Sequence, residues 1–341
     1  MNLKERITAF VKTGNFIREH FSGAWPAGHE NLHQGLTELI KVAHQHNNWF
    51  IPKYVNHAIS NIGAYLTEDD LNTLCGQIKA NESKVVAVIC AGNIPMVGWH
   101  DIMCVLLSGH KVMVKLSSDD NVLLPFFLKL LVFFEPRFEE DILFAPGKLG
   151  KFDAVIATGS NNTASHFRYY FGKYPHIIRQ NRSSVAVIKG DETDDQLRAL
   201  GTDIFMYFGL GCRNVNKLLV PNSYNFNRFF EAIVSFGEVV NNSKYGNNYD
   251  YQRALFLLEK QPFLDNNFLL LKESESLHAP VGVLYYQRFA TENAVKSYLE
   301  EHKNEIQCIT GGGFLPFGYS QQPVITEFAD KINTISFLVN L

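Results

Sequence analysis

The chain has 341 residues, 46% of them apolar and 19% charged, with a net charge of −3. That length accommodates two domains, and the composition is that of an ordinary globular protein. A weakly acidic balance without any Lys/Arg block gives no electrostatic footprint for nucleic acid.

Residues 1–21 alternate charged and apolar side chains and contain no signal-peptide core. Residues 3–20 and 31–44 carry apolar positions at helical spacing, so residues 3–80 read as helices with loops. At residues 85–90 the pattern changes to Val-Val-Ala-Val-Ile-Cys, the continuous apolar run of a strand buried on both faces. A helix is predicted at 96–108, a strand at 111–116, and a helix at 121–134 with Ser117, Ser118, Asp119 and Asp120 as capping residues. The most apolar run, 122–134, is interrupted by Pro125 and Lys129 and is too short to span a bilayer. Strands follow at 141–144, 152–158 and 184–189, with a helix at 161–173. From Glu192 the alternation resumes: helices at 192–207, 225–236, 249–259 and 292–302, and strands at 217–220, 268–271, 281–286 and 306–309. Such β-α-β alternation predicts an α/β protein of two doubly wound domains with mainly parallel sheets, dividing near residue 190. After residue 310 a Gly/Pro/Gln-rich tail leads into 332–341, read as a strand. Two fates are open to it: pairing with another subunit in a homo-oligomer, or closing the first domain.

The five cysteines (Cys75, Cys90, Cys104, Cys212, Cys308) are dispersed and odd in number. They argue for reduced thiols in a cytoplasmic protein, against a disulfide framework, and against a zinc site, so no metal is expected. There is no HExxH and no GxxxxGK[ST] segment. Cys212 stands out because Gly209 and Gly211 precede it and a strand-like run follows. A cysteine on such a turn is presented as a nucleophile, although most thiols in soluble proteins are small core hydrophobes. Asn93 follows Gly92 at a strand end, where asparagine is also common turn chemistry. Lys115 ends a strand and reads either as a snorkelling edge residue or as a cofactor contact at the carboxyl edge of a parallel sheet. Gly159 and Ser160 open a helix, either as an ordinary cap or as a phosphate-binding start.

Four segments in this order resemble the aldehyde dehydrogenase superfamily, in its LuxC-like acyl-CoA reductase branch: Ala91-Gly92-Asn93-Ile94-Pro95, residues 108–118, Ala157-Thr158-Gly159-Ser160, and Gly211-Cys212. The resemblance covers residues 80–290, with 322–338 in the same style. It implies an aldehyde-dehydrogenase-like fold, with a helical N-terminal region plus a dinucleotide-binding α/β domain in residues 1–189, a catalytic α/β domain carrying the cysteine in 190–310 and a tail or strand at 311–341. It also implies catalytic roles for Cys212 and Asn93, and cofactor contacts from Lys115, Ser117, Gly159 and Ser160. Two positions depart from the family pattern. The water-activating glutamate, expected 33 residues before the cysteine, is Arg179. The ribose-binding acid aligns with Ser276, leaving Glu275 as the nearest substitute.

The implied reaction is reduction of a fatty acyl thioester to the aldehyde with NADPH, or with NADH as the second choice, through an acyl-Cys212 intermediate. The acyl donor would be acyl-CoA, an acyl-carrier protein or an acyl-transferring partner. A following helix N-terminus, with Arg213, is expected to lower the Cys212 pKa. His100 and His278 are the candidate general acids. Two alternatives stand beside this reading: an acyl-phosphate reductase using Arg179, Arg182 and Arg213, and a catalytically silent scaffold subunit.

Overall fold

Unbroken apolar runs set the architecture, because a strand without alternation must be covered on both faces. The computed structural model, which describes residues 1–79 and 82–341, places the first two runs as neighbouring strands β1 (Val85–Ile89) and β2 (Lys111–Lys115). They join β3 (Ile142–Phe144), β4 (Ala154–Thr158) and β5 (His176–Arg179) in a wholly parallel sheet ordered β3-β2-β1-β4-β5. Four helices precede it: α1 (Leu3–Ser22), α2 (Glu30–His46), α3 (Pro52–Tyr65) and α4 (Glu68–Cys75). Between strands run α5 (Trp99–Leu107), α6 (Leu123–Phe134) and α7 (Asn161–Phe171). Asn2 and Glu5 form a reciprocal capping box that starts α1. Phe10, Ile17, Trp99, Leu107 and Phe127 are buried together in the core that joins α1, α5 and α6.

The second sheet contains β6 (Ser183–Val187), β7 (Val215–Pro221), β8 (Leu264–Asp265), β9 (Leu270–Glu273), β10 (Val283–Phe289) and β11 (Ile306–Gly311). Its order is β11-β6-β7-β10-β9-β8, parallel except for the terminal β8–β9 pair. The helices here are α8 (Asp194–Phe205), α9 (Asn227–Ala232), α10 (Ser243–Leu258) and α11 (Glu292–Glu301). Leu219, Leu277, Tyr298 and Ile306 share one buried cluster.

The chain divides into two compact units: Met1–Gln180 with Val324–Leu341, and Asn181–Pro323. The crossing therefore falls at 180–181, not near residue 190. Only three residues separate β5 from β6, and no helix marks the passage. The strand read at 184–189 thus belongs to the second sheet, and the short β5 is an element that the sequence reading passed over. The C-terminal run corrects a second expectation. Residues 332–341 hold a short helix, α12 (Thr334–Leu338), where a strand was expected. It packs against α5 within the first unit. Its apolar residues Ile335 and Leu338 recur at i, i+3, and Asn333 caps it by accepting from the Ser336 amide.

Candidate active site

In the first unit, β1 lies between β2, which follows it directly, and β4, which is reached after the chain has left for β3. Strand order reverses there, and open parallel sheets bind ligands at the carboxyl edge of such a switch point. Asn93 stands exposed just beyond β1, in the segment joining it to α5. Gly92 is demanded by close approach, since a Cβ there would lie 2.6 Å from Ser117 Oγ. Downstream, the Met96 amide donates to Asp120 Oδ2 at 2.9 Å, and the Leu123 amide donates to Asp120 Oδ1 at 3.4 Å. Asp120 thus ties the Asn93 segment to the start of α6, and burial pushes its pKa up to about 6. Past β2, Lys115 Nζ donates to the Pro146 carbonyl at 3.2 Å, and Ser117 Oγ accepts from the Asp119 amide at 3.2 Å. Past β4, the Gly159 amide donates to the Arg179 carbonyl at 3.4 Å, and Ser160 Oγ caps α7 by accepting from the Thr163 amide at 3.2 Å. Asn93, Lys115, Ser117, Gly159 and Ser160 therefore all emerge at one sheet edge. An ammonium, two hydroxyls and a helix start form a donor set that fits a dinucleotide's phosphates and ribose.

Arg179, which the resemblance aligns with the water-activating glutamate, ends β5 and is buried. Its guanidinium meets Asp101 at 2.6 Å and Thr334 Oγ1 at 2.9 Å, and donates to the Ala329 carbonyl. Burial disfavours its charge, but Asp101, with smaller contributions from Asp330 and Cys104, holds the pKa above the ordinary value. This side chain is committed to joining β5, α5 and α12. His100, a candidate acid, donates to the Ile325 carbonyl at 2.7 Å, and burial lowers its pKa.

Cys212 lies in the second unit, in a four-residue turn closed by the Asn214 amide on the Gly211 carbonyl at 3.0 Å. It is half-buried, whereas the other four cysteines are buried. The approach to this turn is strained. Tyr207, Phe208 and Gly209 follow one another in the left-handed region, with φ of 52°, 57° and 77°. For the two non-glycine residues this costs about 1–2 kcal/mol each. Asn214 holds the strained segment. Its Nδ2 donates to the Asp203, Ile204 and Met206 carbonyls at the end of α8, and its Oδ1 accepts from the Gly211 amide at 2.8 Å. Ser184 of β6 donates from Oγ to the Cys212 carbonyl at 3.0 Å. Buried Asp203 accepts from the Gly318 and Ser320 amides at 2.8 and 3.0 Å, and burial raises its pKa.

One expectation is overturned here. No helix follows Cys212; the turn leads directly into β7. Arg213 donates from Nε to the Ser320 carbonyl. Glu275, exposed beyond β9, offers its carbonyl to the buried Lys217 ammonium at 2.8 Å. Burial pulls Lys217 down to about 8. His278 shares a 2.6 Å hydrogen bond with Ser183 Oγ. Ser184, Asn214 and Asp120 were not singled out from sequence as site residues. Asn214 was visible two residues after the cysteine, but Ser184 becomes relevant only once β6 lies beside β7. Among the described residues, no group of three or more His, Cys, Asp or Glu is placed to hold a metal ion. No helix among them is long and apolar enough to cross a membrane.

No protein-family model matches the chain, and no curated protein matches it by sequence. Solved structures do match. An aldehyde dehydrogenase from Mycobacterium tuberculosis complexed with NAD+ aligns at a TM-score of 0.65 and 14% identity, over 94% of this chain and 75% of the other. Aldehyde dehydrogenase 21 from Physcomitrella patens, in complex with succinate, aligns at 0.64 and 13% identity over 94% and 76%. The NAD+ complex of an aldehyde dehydrogenase from Bacillus cereus aligns at 0.63 and 14% over 91% and 72%. The chain has the aldehyde-dehydrogenase-like fold.

Proposed function

We propose that this protein is an aldehyde-dehydrogenase-type oxidoreductase that uses NADPH, or NADH as the second choice, to reduce a fatty acyl thioester to its aldehyde through an acyl-Cys212 intermediate. The observation that carries the reading is a pair of features. The chain keeps a half-buried cysteine on a strained, clamped turn, and a buried, ion-paired arginine stands at the expected position of the water-activating glutamate. An acyl-cysteine without a base to activate water hydrolyses slowly, which suits exchange with a thiol such as coenzyme A.

On this reading Cys212, as thiolate, attacks the acyl carbonyl, and the donor thiol leaves with a proton. Thiolates serve here because they are both strong nucleophiles and good leaving groups. The oxyanion would be received by the Cys212 amide and the Asn93 side-chain amide. Lys115, Ser117, Gly159 and Ser160 would hold the dinucleotide, with Glu275 as a further contact. When bound, it supplies the hydride that converts the thioester to aldehyde and frees the thiol. NADPH is favoured because Lys115 and the neighbouring serines suit a 2′-phosphate.

The acyl-phosphate alternative is weakened by Arg179, whose guanidinium is already engaged by Asp101 and Thr334. The test is aldehyde formation, trapped as a hydrazone, from medium- and long-chain acyl-CoA with NADPH, beside the corresponding acyl phosphates. Aldehyde from the thioester supports the proposal. Aldehyde from the phosphate only, or from neither donor, would contradict it and favour the reductase alternative or a silent scaffold respectively.

A further inference from the structure

Ser184 lies fully buried in β6, one strand away from the cysteine turn. Its hydroxyl has one hydrogen and two lone pairs. The hydrogen goes to the Cys212 carbonyl at 3.0 Å. One lone pair takes the Cys308 amide at 3.1 Å, and the Cys308 thiol stands 3.0 Å away, in place to fill the other. The main-chain amide of Ser184 donates to the Asn214 carbonyl at 3.2 Å, so this strand residue grips the turn at two points. The Asn214 side chain fixes the Leu210–Gly211 peptide through the Gly211 amide, and Ser184 fixes the Cys212–Arg213 peptide through the Cys212 carbonyl. Three consecutive left-handed residues feed into this turn, so its geometry depends on such external clamps.

We infer that Ser184 is a positioning residue whose hydroxyl sets the orientation, and so the reactivity, of the Cys212 thiol. The inference rests on Cys212 being the nucleophile of the proposed reaction. Ser184 touches no substrate; it acts through the Cys212 carbonyl. Cys308 supplies an internal control, because removing its thiol disturbs the same buried cluster without touching the bond to Cys212.

The experiment follows alkylation of Cys212 by iodoacetamide across pH 6–10 in the full-length protein, read by peptide mass, for wild type, Ser184→Ala, Ser184→Thr and Cys308→Ala. Ser184→Ala is expected to slow Cys212 alkylation about ten- to a hundredfold and to move its pH midpoint. Ser184→Thr should restore much of the rate, and Cys308→Ala should leave rate and midpoint unchanged even if the melting temperature falls. If Ser184→Ala does not fold, Ser184→Val against the nearly isosteric Ser184→Thr decides: only threonine keeps the hydroxyl, so valine should lose the reactivity that threonine retains. A wild-type profile in Ser184→Ala, or an equal change in Cys308→Ala, would overturn the inference. So would Ser184→Thr losing as much reactivity as the variants that lack the hydroxyl. Acylation is measured on the same samples. Failure to acylate with the Ser184 effect intact would sink the thioester reading and leave the positioning role standing.

Discussion

At the residue scale, two side chains make opposite demands on the same sheet edge. Asn93 must be reachable and is exposed; Asp120, which ties its segment, is buried. On the proposed mechanism, Asn93→Ala removes one oxyanion donor. The acylation rate should fall about 10²–10³-fold, measured by rapid-quench mass spectrometry, with little change in melting temperature. An unaltered rate would remove Asn93 from the mechanism. Asp120 predicts a pH effect whose sign follows from burial. Its folded pKa, near 6, lies above the ordinary 3.8, so between these values the folded state holds a proton that the unfolded state has lost. Asp120 therefore costs stability as pH rises through that window, on the order of 3 kcal/mol by its upper end. Urea unfolding should show the stability difference between Asp120→Asn and wild type moving in favour of the variant from about pH 4 to 6, then levelling. A difference independent of pH would contradict the buried-carboxylate account.

At the element scale, Arg179 binds β5 to α5 and α12. Removing one partner of a buried ion pair leaves the other charge uncompensated, at about 3–5 kcal/mol. Arg179→Glu would supply the residue type that the resemblance expects in an oxidising enzyme, yet it sets a second carboxylate against Asp101. It should destabilise the protein by at least that range in denaturant titration and create no aldehyde oxidation; a stable variant that oxidises aldehydes would refute the structural role. How much of this was legible depends on the element. The unbroken runs 85–89 and 111–115 announced buried parallel strands, and α1 and α2 carried their apolar spacing, whereas α10, with no apolar face, was read six residues late. The four-residue β5 after Pro175 was too short to signal, and 332–341 was apolar enough to read as a strand although its core contacts, Ile335 and Leu338, follow helical spacing. The helix expected after Cys212 conflicted with the strand predicted at 217–220, which leaves only four residues between them, and the structure sides with the strand.

At the scale of the whole molecule, the chain leaves its first unit at residue 180 and returns at 324. That return carries Ile325, Ile335 and Leu338 into the first core, the Thr334 hydroxyl to Arg179, and carbonyls to His100 and His110. Deleting residues 324–341 should therefore unfold the first unit, seen as lost amide-exchange protection in β1, β2 and β4, whereas protection in the parallel strands β6 and β7 should fall less. Equal protection in the two forms would show that the return is dispensable. Sequence reading reached the fold class, and five of its candidate residues emerge at one sheet edge because strand-end motifs are local. It left the return to the first domain as one of two fates and read the returning segment as a strand, and it missed the Ser184 clamp, because both depend on neighbours far apart in the chain. The proposed chemistry itself turns on one event at Cys212. The deciding measurement is the intact mass of wild type and Cys212→Ala after incubation with long-chain acyl-CoA and no NADPH. A hydroxylamine-labile acyl adduct on wild type alone is the predicted result; an adduct on both proteins, or on neither, would contradict it.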